Sequence, residues 1–318
     1  MNMHVTHGIR ILKTLALGIF MAAQVSAKDA KDATNVKSDT ARIQTLTGLK
    51  GAWNAKENLF KVSSPRTDIP ITVDGFPMTP FLGLTSWASF IDGGKAEAMV
   101  MGDLVLFQDE VNPVMSVLLD NGIQVTALHN HFFYDEPKVY YMHIGGDDSL
   151  SRLASGLGKA FDKVKEIRKA HPTLAHEFGG PKVSSKSAIT PKPIEDILGA
   201  EGEKKDGMLK VTIGRKTRMP CGCEAGKGMG VNTWAAFAGT DDYGLVDGDF
   251  VMHEEELQGV LKALRKADIN VVAIHNHMVE EKPRLIFLHY WGKGKPVDLA
   301  RGLKSALDTQ KQEPQSLQ

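Results

Sequence analysis

The chain has 318 residues, of which 42% are apolar and 24% charged, and its 38 basic residues balance 38 acidic ones. These are globular proportions, and with only two Cys they exclude a disordered chain, a collagen-like chain and a disulfide-dense miniprotein. A net charge of zero also speaks against nucleic-acid binding, which relies on a basic excess to neutralise phosphates.

Residues 1–27 read as an export signal. Arg10 and Lys13 precede an apolar run from Thr14 to Val25, and small residues close the segment at Ser26-Ala27. Charged, apolar and small residues in that order are the mark of a secretory signal. The run is well short of the roughly 20 residues that span a bilayer. An uncleaved anchor is the alternative. No Cys stands at the end of the segment to carry a lipid. The expectation is an exported protein, periplasmic if the source is Gram-negative, with no transmembrane segment once the signal is removed.

The rest of the chain is a tandem duplication. VTALHNHFFYDEPKVYYMHIGG from Val125 is answered by VVAIHNHMVEEKPRLIFLHYWGKG from Val271, at an offset of 146 residues. Between 102 and 146, 15 of 45 positions are identical to their partners. Upstream, with small gaps, Trp87 answers Trp234, Arg66 answers Arg215 and Ile43 answers Ile194. The units span 41–167 and 192–309, and each is domain-sized. A Pro-, Gly- and Ser-rich joint fills 168–191, and a polar tail follows from 310.

In unit 1 the patterning predicts strands near Leu59–Val62, Ile69–Val73 and Leu82–Phe90, then a strand from Met99 to Phe107 broken near Gly102-Asp103. Asp109 and Glu110 open a helix whose apolar face is Val111, Val114, Met115 and Leu118, and Asn121-Gly122 stops it. A strand from Ile123 to His131, a turn at Asp135-Glu136-Pro137, a strand from Lys138 to Ile144 and a helix from Ser149 to Val164 follow. Unit 2 repeats the series through 255–266, 269–277, 284–291 and 297–307. The fold class is α+β: two homologous tandem domains, antiparallel-rich sheets with helices on one face, and a suspected ferredoxin-like βαββα core.

The His-Asn-His strand ends are the best candidates for chemistry. Alternate side chains share a strand face, which groups Val125, Ala127, His129 and His131. A hairpin centred near Glu136 would pair His129 with His143 and His131 with Tyr141, and likewise His275 with His289 and His277 with Phe287. Three imidazoles per unit could then hold zinc or another divalent metal with an open position. Glu110, Glu256, Asp103 and Asp249 are candidate carboxylate ligands or general bases. Asn130, Asn276, Tyr141, Arg66 and Arg215 are candidate ligand-binding residues. The plain alternative is a structural hydrogen-bond network at the end of each strand. A nuclease reading of the His-Asn-His letters is disfavoured by their adjacency and by the charge.

Cys221-Gly222-Cys223 has no counterpart in unit 1. It reads as two thiols or a local disulfide in a loop, with a soft-metal site including Met219 and Met229 as the alternative.

MGDLVLFQDEVNPVMSVLLDNGIQVTALHNH with KVYYMHIGG, and GDFVMHEEELQGVLKALRKADINVVAIHNH with PRLIFLHYWG, resemble the LppY/LpqO-like family of exported bacterial proteins with a duplicated domain of unknown function. The resemblance implies export and a twofold repeat, and it implies no particular reaction. Three readings compete: an envelope protein binding a small molecule or a cell-envelope component through the duplicated site, a metal-dependent hydrolase, and a zinc- or copper-handling protein. The oligomeric state is left open.

Overall fold

Ten residues from Ala98 to Phe107 alternate in a way that defines the two faces of the whole molecule. Ala98, Val100, Leu104 and Leu106 enter the large core, whereas Val105 and Phe107 enter a separate small cluster. A strand with two apolar faces must be covered on both. In the computed structural model, which describes residues 35–310, helices cover the first face and short loop-borne strands cover part of the second. The proposed signal and residues 311–318 lie outside the described residues.

Unit 1 contributes α1 (Thr40–Thr47), β1 (Gly51–Asn54), β2 (Leu59–Pro65), β3 (Thr85–Asp92), β4 (Ala98–Phe107), α2 (Gln108–Asp120), β5 (Gln124–His129), β6 (Val139–Asp148) and α3 (Leu150–Ala170). Unit 2 contributes α4 (Pro191–Leu198), β7 (Gly202–Lys205), β8 (Met208–Gly214), β9 (Asn232–Gly239), β10 (Gly244–His253), α5 (Leu257–Lys266), β11 (Asn270–His275), β12 (Leu285–Gly294) and α6 (Pro296–Leu307). The class is therefore mixed α and β with antiparallel pairing and six α-helices among the described residues.

These twelve strands form one sheet in the order β1-β2-β3-β4-β6-β5-β11-β12-β10-β9-β8-β7. That order reads the same from either end once each strand of unit 2 is matched to its counterpart six earlier. The two repeats meet where β5 pairs β11 antiparallel, with Leu128 opposite Ile274.

Several sequence expectations need correction: of the strands expected at Ile69–Val73 and Leu82–Phe90 the structure has Thr72–Val73 and Thr85–Asp92, and α3 runs on to Ala170. β4 runs unbroken through Gly102 and Asp103. Gly102 keeps the strand regular because a Cβ there would lie 2.6 Å from the Trp87 carbonyl oxygen on β3. The hairpin register is also displaced by two residues. His143 lies opposite Ala127, and His129 opposite Tyr141; in unit 2, His289 lies opposite Ala273 and His275 opposite Phe287. The connection between β5 and β6 is not a tight turn. Asp135 and Glu136 leave the hairpin to pair with Val73 and Thr72, before a cis Glu136–Pro137 bond.

A bulge sets which residues face which way. Val125 pairs Ile144 and Ala127 pairs His143, so Thr126 is an extra residue on β5. Without it Val125 and Ala127 would share a face. With it Val125 is buried in the helix-side core, and Ala127 and His129 take the other face. The same irregularity between Val271 and Ala273 repeats this on β11.

Candidate metal centre

The helix-free face carries the imidazoles because the alternation of β4, β5 and β6 puts Asp103, Ala127, His129, Tyr141 and His143 there, and unit 2 does the same with Asp249, Ala273, His275, Phe287 and His289. Asp103 lies directly opposite His143, and Asp249 directly opposite His289. Although the register differs from expectation, the rings still gather. In unit 2 the His275 ring lies 4.6 Å from that of His289 and 5.1 Å from that of His277, and His277 stacks on Phe287 at 3.6 Å. In unit 1 the distances from His129 are 5.1 Å to His143 and 5.2 Å to His131, and His131 stacks on Tyr141 at 3.3 Å.

The carboxylates are the buried partners. Asp249 is 4% exposed, and its two oxygens lie 3.2 Å from His277 Nε2 and 4.0 Å from His275 Nε2. The second distance is too long for a hydrogen bond, and both Asp249 Oδ1 and His275 Nε2 are buried without a hydrogen-bond partner. Asp103 Oδ1 is buried and unpartnered in the same way. Burial raises the pKa of both aspartates, against the pull of the nearby histidines. Burial also lowers the pKa of His131 and His275, which favours the neutral form that can ligate a metal. Asp249, His275 and His277 offer three donor atoms all within 4.8 Å of one another. Two donors about 2.0–2.1 Å from one tetrahedral ion lie roughly 3.3 Å apart, so the 3.2 Å edge already suits a shared ion.

The other candidates are placed elsewhere. Glu110 is fully buried and ion-paired to Arg66 at 2.6 Å and to Arg168 at 2.9 Å. It also accepts from Phe107 N at the start of α2. Glu256 pairs with Arg215 and accepts from His253 N. These arginine clamps join the strand-to-helix corners, and Arg66 also donates to the Val105 carbonyl oxygen. Asn130 donates to Val139 O across the mouth of the hairpin. Buried Tyr141 donates its hydroxyl to Gly83 O. Asn276 lines an open cleft of about 830 Å³ with Arg218, Lys282 and Arg284. Those three cations are a feature that the sequence reading passed over; the Lys282-Pro283-Arg284 triplet was its one signal. Cys221 and Cys223, in the loop bordering that cleft, are joined as a disulfide.

Fold and site together define a duplicated α+β protein whose halves share one antiparallel sheet and each present an Asp–His cluster on its helix-free face. The chain belongs to the family described as Domain of Unknown Function (DUF1259), whose model matches residues 41–163 and 192–309. A search of curated proteins found no match. Among solved structures, the crystal structure of a trimeric bacterial microcompartment shell protein PduB aligns at 11% identity over 81% of this chain and 89% of that one, with a TM-score of 0.20. A score that low carries no argument about this protein.

Proposed function

We propose that this is an exported protein that binds a divalent transition metal, zinc or a similar ion, through Asp249, His275 and His277, with His289 beside them. The observation that carries this reading is buried Asp249 Oδ1, which has no donor and lies 4.0 Å from His275 Nε2, itself buried and unpaired. A buried carboxylate oxygen without a donor is costly, and a cation shared with the imidazoles is a group that would satisfy it. Histidine and carboxylate donors suit a borderline ion. The three protein donors would leave a coordination position open on the solvent side. The signal-like order of residues 1–27 and the Cys221–Cys223 disulfide support an oxidising compartment outside the cytosol. No described helix is long and apolar enough to cross a membrane.

The test is a zinc titration by calorimetry on untagged protein, beside Asp249→Asn and His277→Ala. Each variant should lose about a hundredfold in affinity or more, given that even residues supporting ligands cost 10–100-fold. Unchanged affinity in both would sink the reading.

A second reading rests on the cleft beside Asn276. Arg218, Lys282 and Arg284 outnumber Glu280 and Glu281 among its lining residues, which supports an anionic small molecule or cell-envelope polymer as its ligand. Citrate binding that Arg284→Ala weakens would support it, and equal binding by wild type and variant would remove it.

The Val-Thr-Ala-Leu-His-Asn-His string also supports an LppY/LpqO-like assignment. The order β3-β4-β6-β5 supports a ferredoxin-like core in each unit, with β3 in the position of the fourth strand.

A further inference from the structure

The pairing of β5 with β11 brings the two Asp–His clusters onto one surface. With Leu128 opposite Ile274, the antiparallel register sets Ala127 opposite His275 and His129 opposite Ala273. Leu128 and Ile274 point into the helix-side core, so both histidines and both alanines point to the other side. Adding the pairs made with the outer strands produces two adjacent rows across the centre of the sheet. One row is His143, Ala127, His275 and Phe287; the next is Tyr141, His129, Ala273 and His289. His129 and His275 are therefore diagonal neighbours across the seam, with Cα atoms roughly 7–8 Å apart. The alanines put no bulk between them.

Unit 1 carries the same residue types as unit 2, although among the described residues only Asp249, His275 and His277 bring three donor atoms within 4.8 Å of one another. Asp103 is 9% exposed, its Oδ1 is buried without a partner, and His143, His131 and His129 all act on it electrostatically. Its rings are more widely spaced, at 5.1 Å between His129 and His143 against 4.6 Å between His275 and His289.

We infer that the protein holds two divalent metal ions on one face of its sheet, the second at Asp103, His129, His131 and His143, close enough across the β5–β11 seam to act on a single ligand. This rests on the metal reading of unit 2 and adds a site and a spacing to it. β6 and β12, at the centres of the clusters, are three strand spacings apart, or roughly 14 Å at about 4.8 Å per strand. The unit 1 site, with its wider rings, is the weaker of the two.

Copper(II) tests both the number and the spacing. The full chain is titrated with copper, and the bound metal is counted and then read by continuous-wave electron paramagnetic resonance. The expected result is two ions of unequal affinity per chain, with dipolar broadening at full loading. Asp103→Asn combined with His143→Ala should bind one ion and show an unbroadened spectrum. Asp249→Asn combined with His277→Ala should also bind one ion without broadening, and thermal unfolding confirms that each variant is folded. No bound copper overturns the metal reading and this inference together. One ion, lost on His277→Ala, overturns the second site and leaves the unit 2 site standing. Two ions without broadening overturn the shared face, and two ions retained in both double variants place the metal elsewhere and overturn both readings.

Discussion

Asn112 on α2 of unit 1 grips Val271 on β11 of unit 2: its side-chain oxygen accepts from Val271 N at 2.8 Å, and its nitrogen donates to Val271 O at 3.1 Å. Gln258 on α5 returns the contact one repeat later, accepting from Val125 N at 3.1 Å and donating to Val125 O at 2.8 Å. Each amide takes the place of a neighbouring strand at the bulge, where the backbone would otherwise lack partners. The seam is thus braced by each helix holding the other unit's bulged strand. Asn112→Ala should cost about 1–3 kcal/mol, the usual penalty for unsatisfied buried groups. Urea unfolding would measure it, and hydrogen exchange at the Val271 amide should accelerate; an amide that stays protected would refute the brace.

The arginine clamps make a contrasting prediction. Glu110→Ala removes the carboxylate shared by Arg66 and Arg168, which keep Asp68 and Asp109 as partners, so stability should fall by about 1–3 kcal/mol, the usual cost of buried groups left partly unsatisfied. Zinc binding per folded molecule should not change, because Glu110 serves the strand-to-helix corner. A stable variant with altered metal affinity would return Glu110 to the list of ligands or bases.

Asp249→Asn should separate stability from function. The substitution removes a buried charge with no hydrogen-bond donor on one oxygen, so the metal-free variant should be more stable than wild type by about 1 kcal/mol. It should also lose the stabilisation that zinc confers on wild type through mass action. Melting both proteins with and without zinc checks this, and an apo variant less stable than apo wild type counts against it.

Tyr141 occupies the position that Phe287 fills in unit 2. Its hydroxyl makes a single bond to Gly83 O, at 3.2 Å, while its ring supports His131. Tyr141→Phe should therefore cost no more than about 1.5 kcal/mol and leave metal content intact, whereas Tyr141→Ala should cost about 3–5 kcal/mol. Melting temperatures and metal analysis of the pair would show whether ring or hydroxyl matters.

Gly248 is the counterpart of Gly102, and the constraint is tighter there. A Cβ at 248 would collide with Trp234 O and with the Tyr290 hydroxyl, which itself donates to Trp234 O. Gly248→Ala should destabilise by about 1–3 kcal/mol through overpacking. A melting temperature equal to wild type would show that β9 and β10 can part without cost.

Much was legible from residue order, because it depends on neighbours along the chain. Val111, Val114, Met115 and Leu118 mark one helix face wherever the helix sits, and the 146-residue offset needs no coordinates. The His-Asn-His strings and the paired aspartates could be picked out because duplication displayed each of them twice. What escaped depends on contacts between distant backbones. The bulge at Thr126 reverses the face of Val125 without leaving a mark in the local pattern, and the Asp135–Val73 pairing displaces the hairpin register.

The amino-acid sequence by itself determined the repeat, the order of elements and the residue types available for chemistry, since periodicity and turn residues act over a few positions. Only the tertiary structure decided that both repeats share one sheet, that Glu110 and Glu256 serve arginine clamps, and that Asp103 and Asp249 lie buried beneath the imidazoles. Those outcomes follow from strand edges joined through backbone hydrogen bonds, which any sequence can make, and from which buried charges find a partner once the chain has closed.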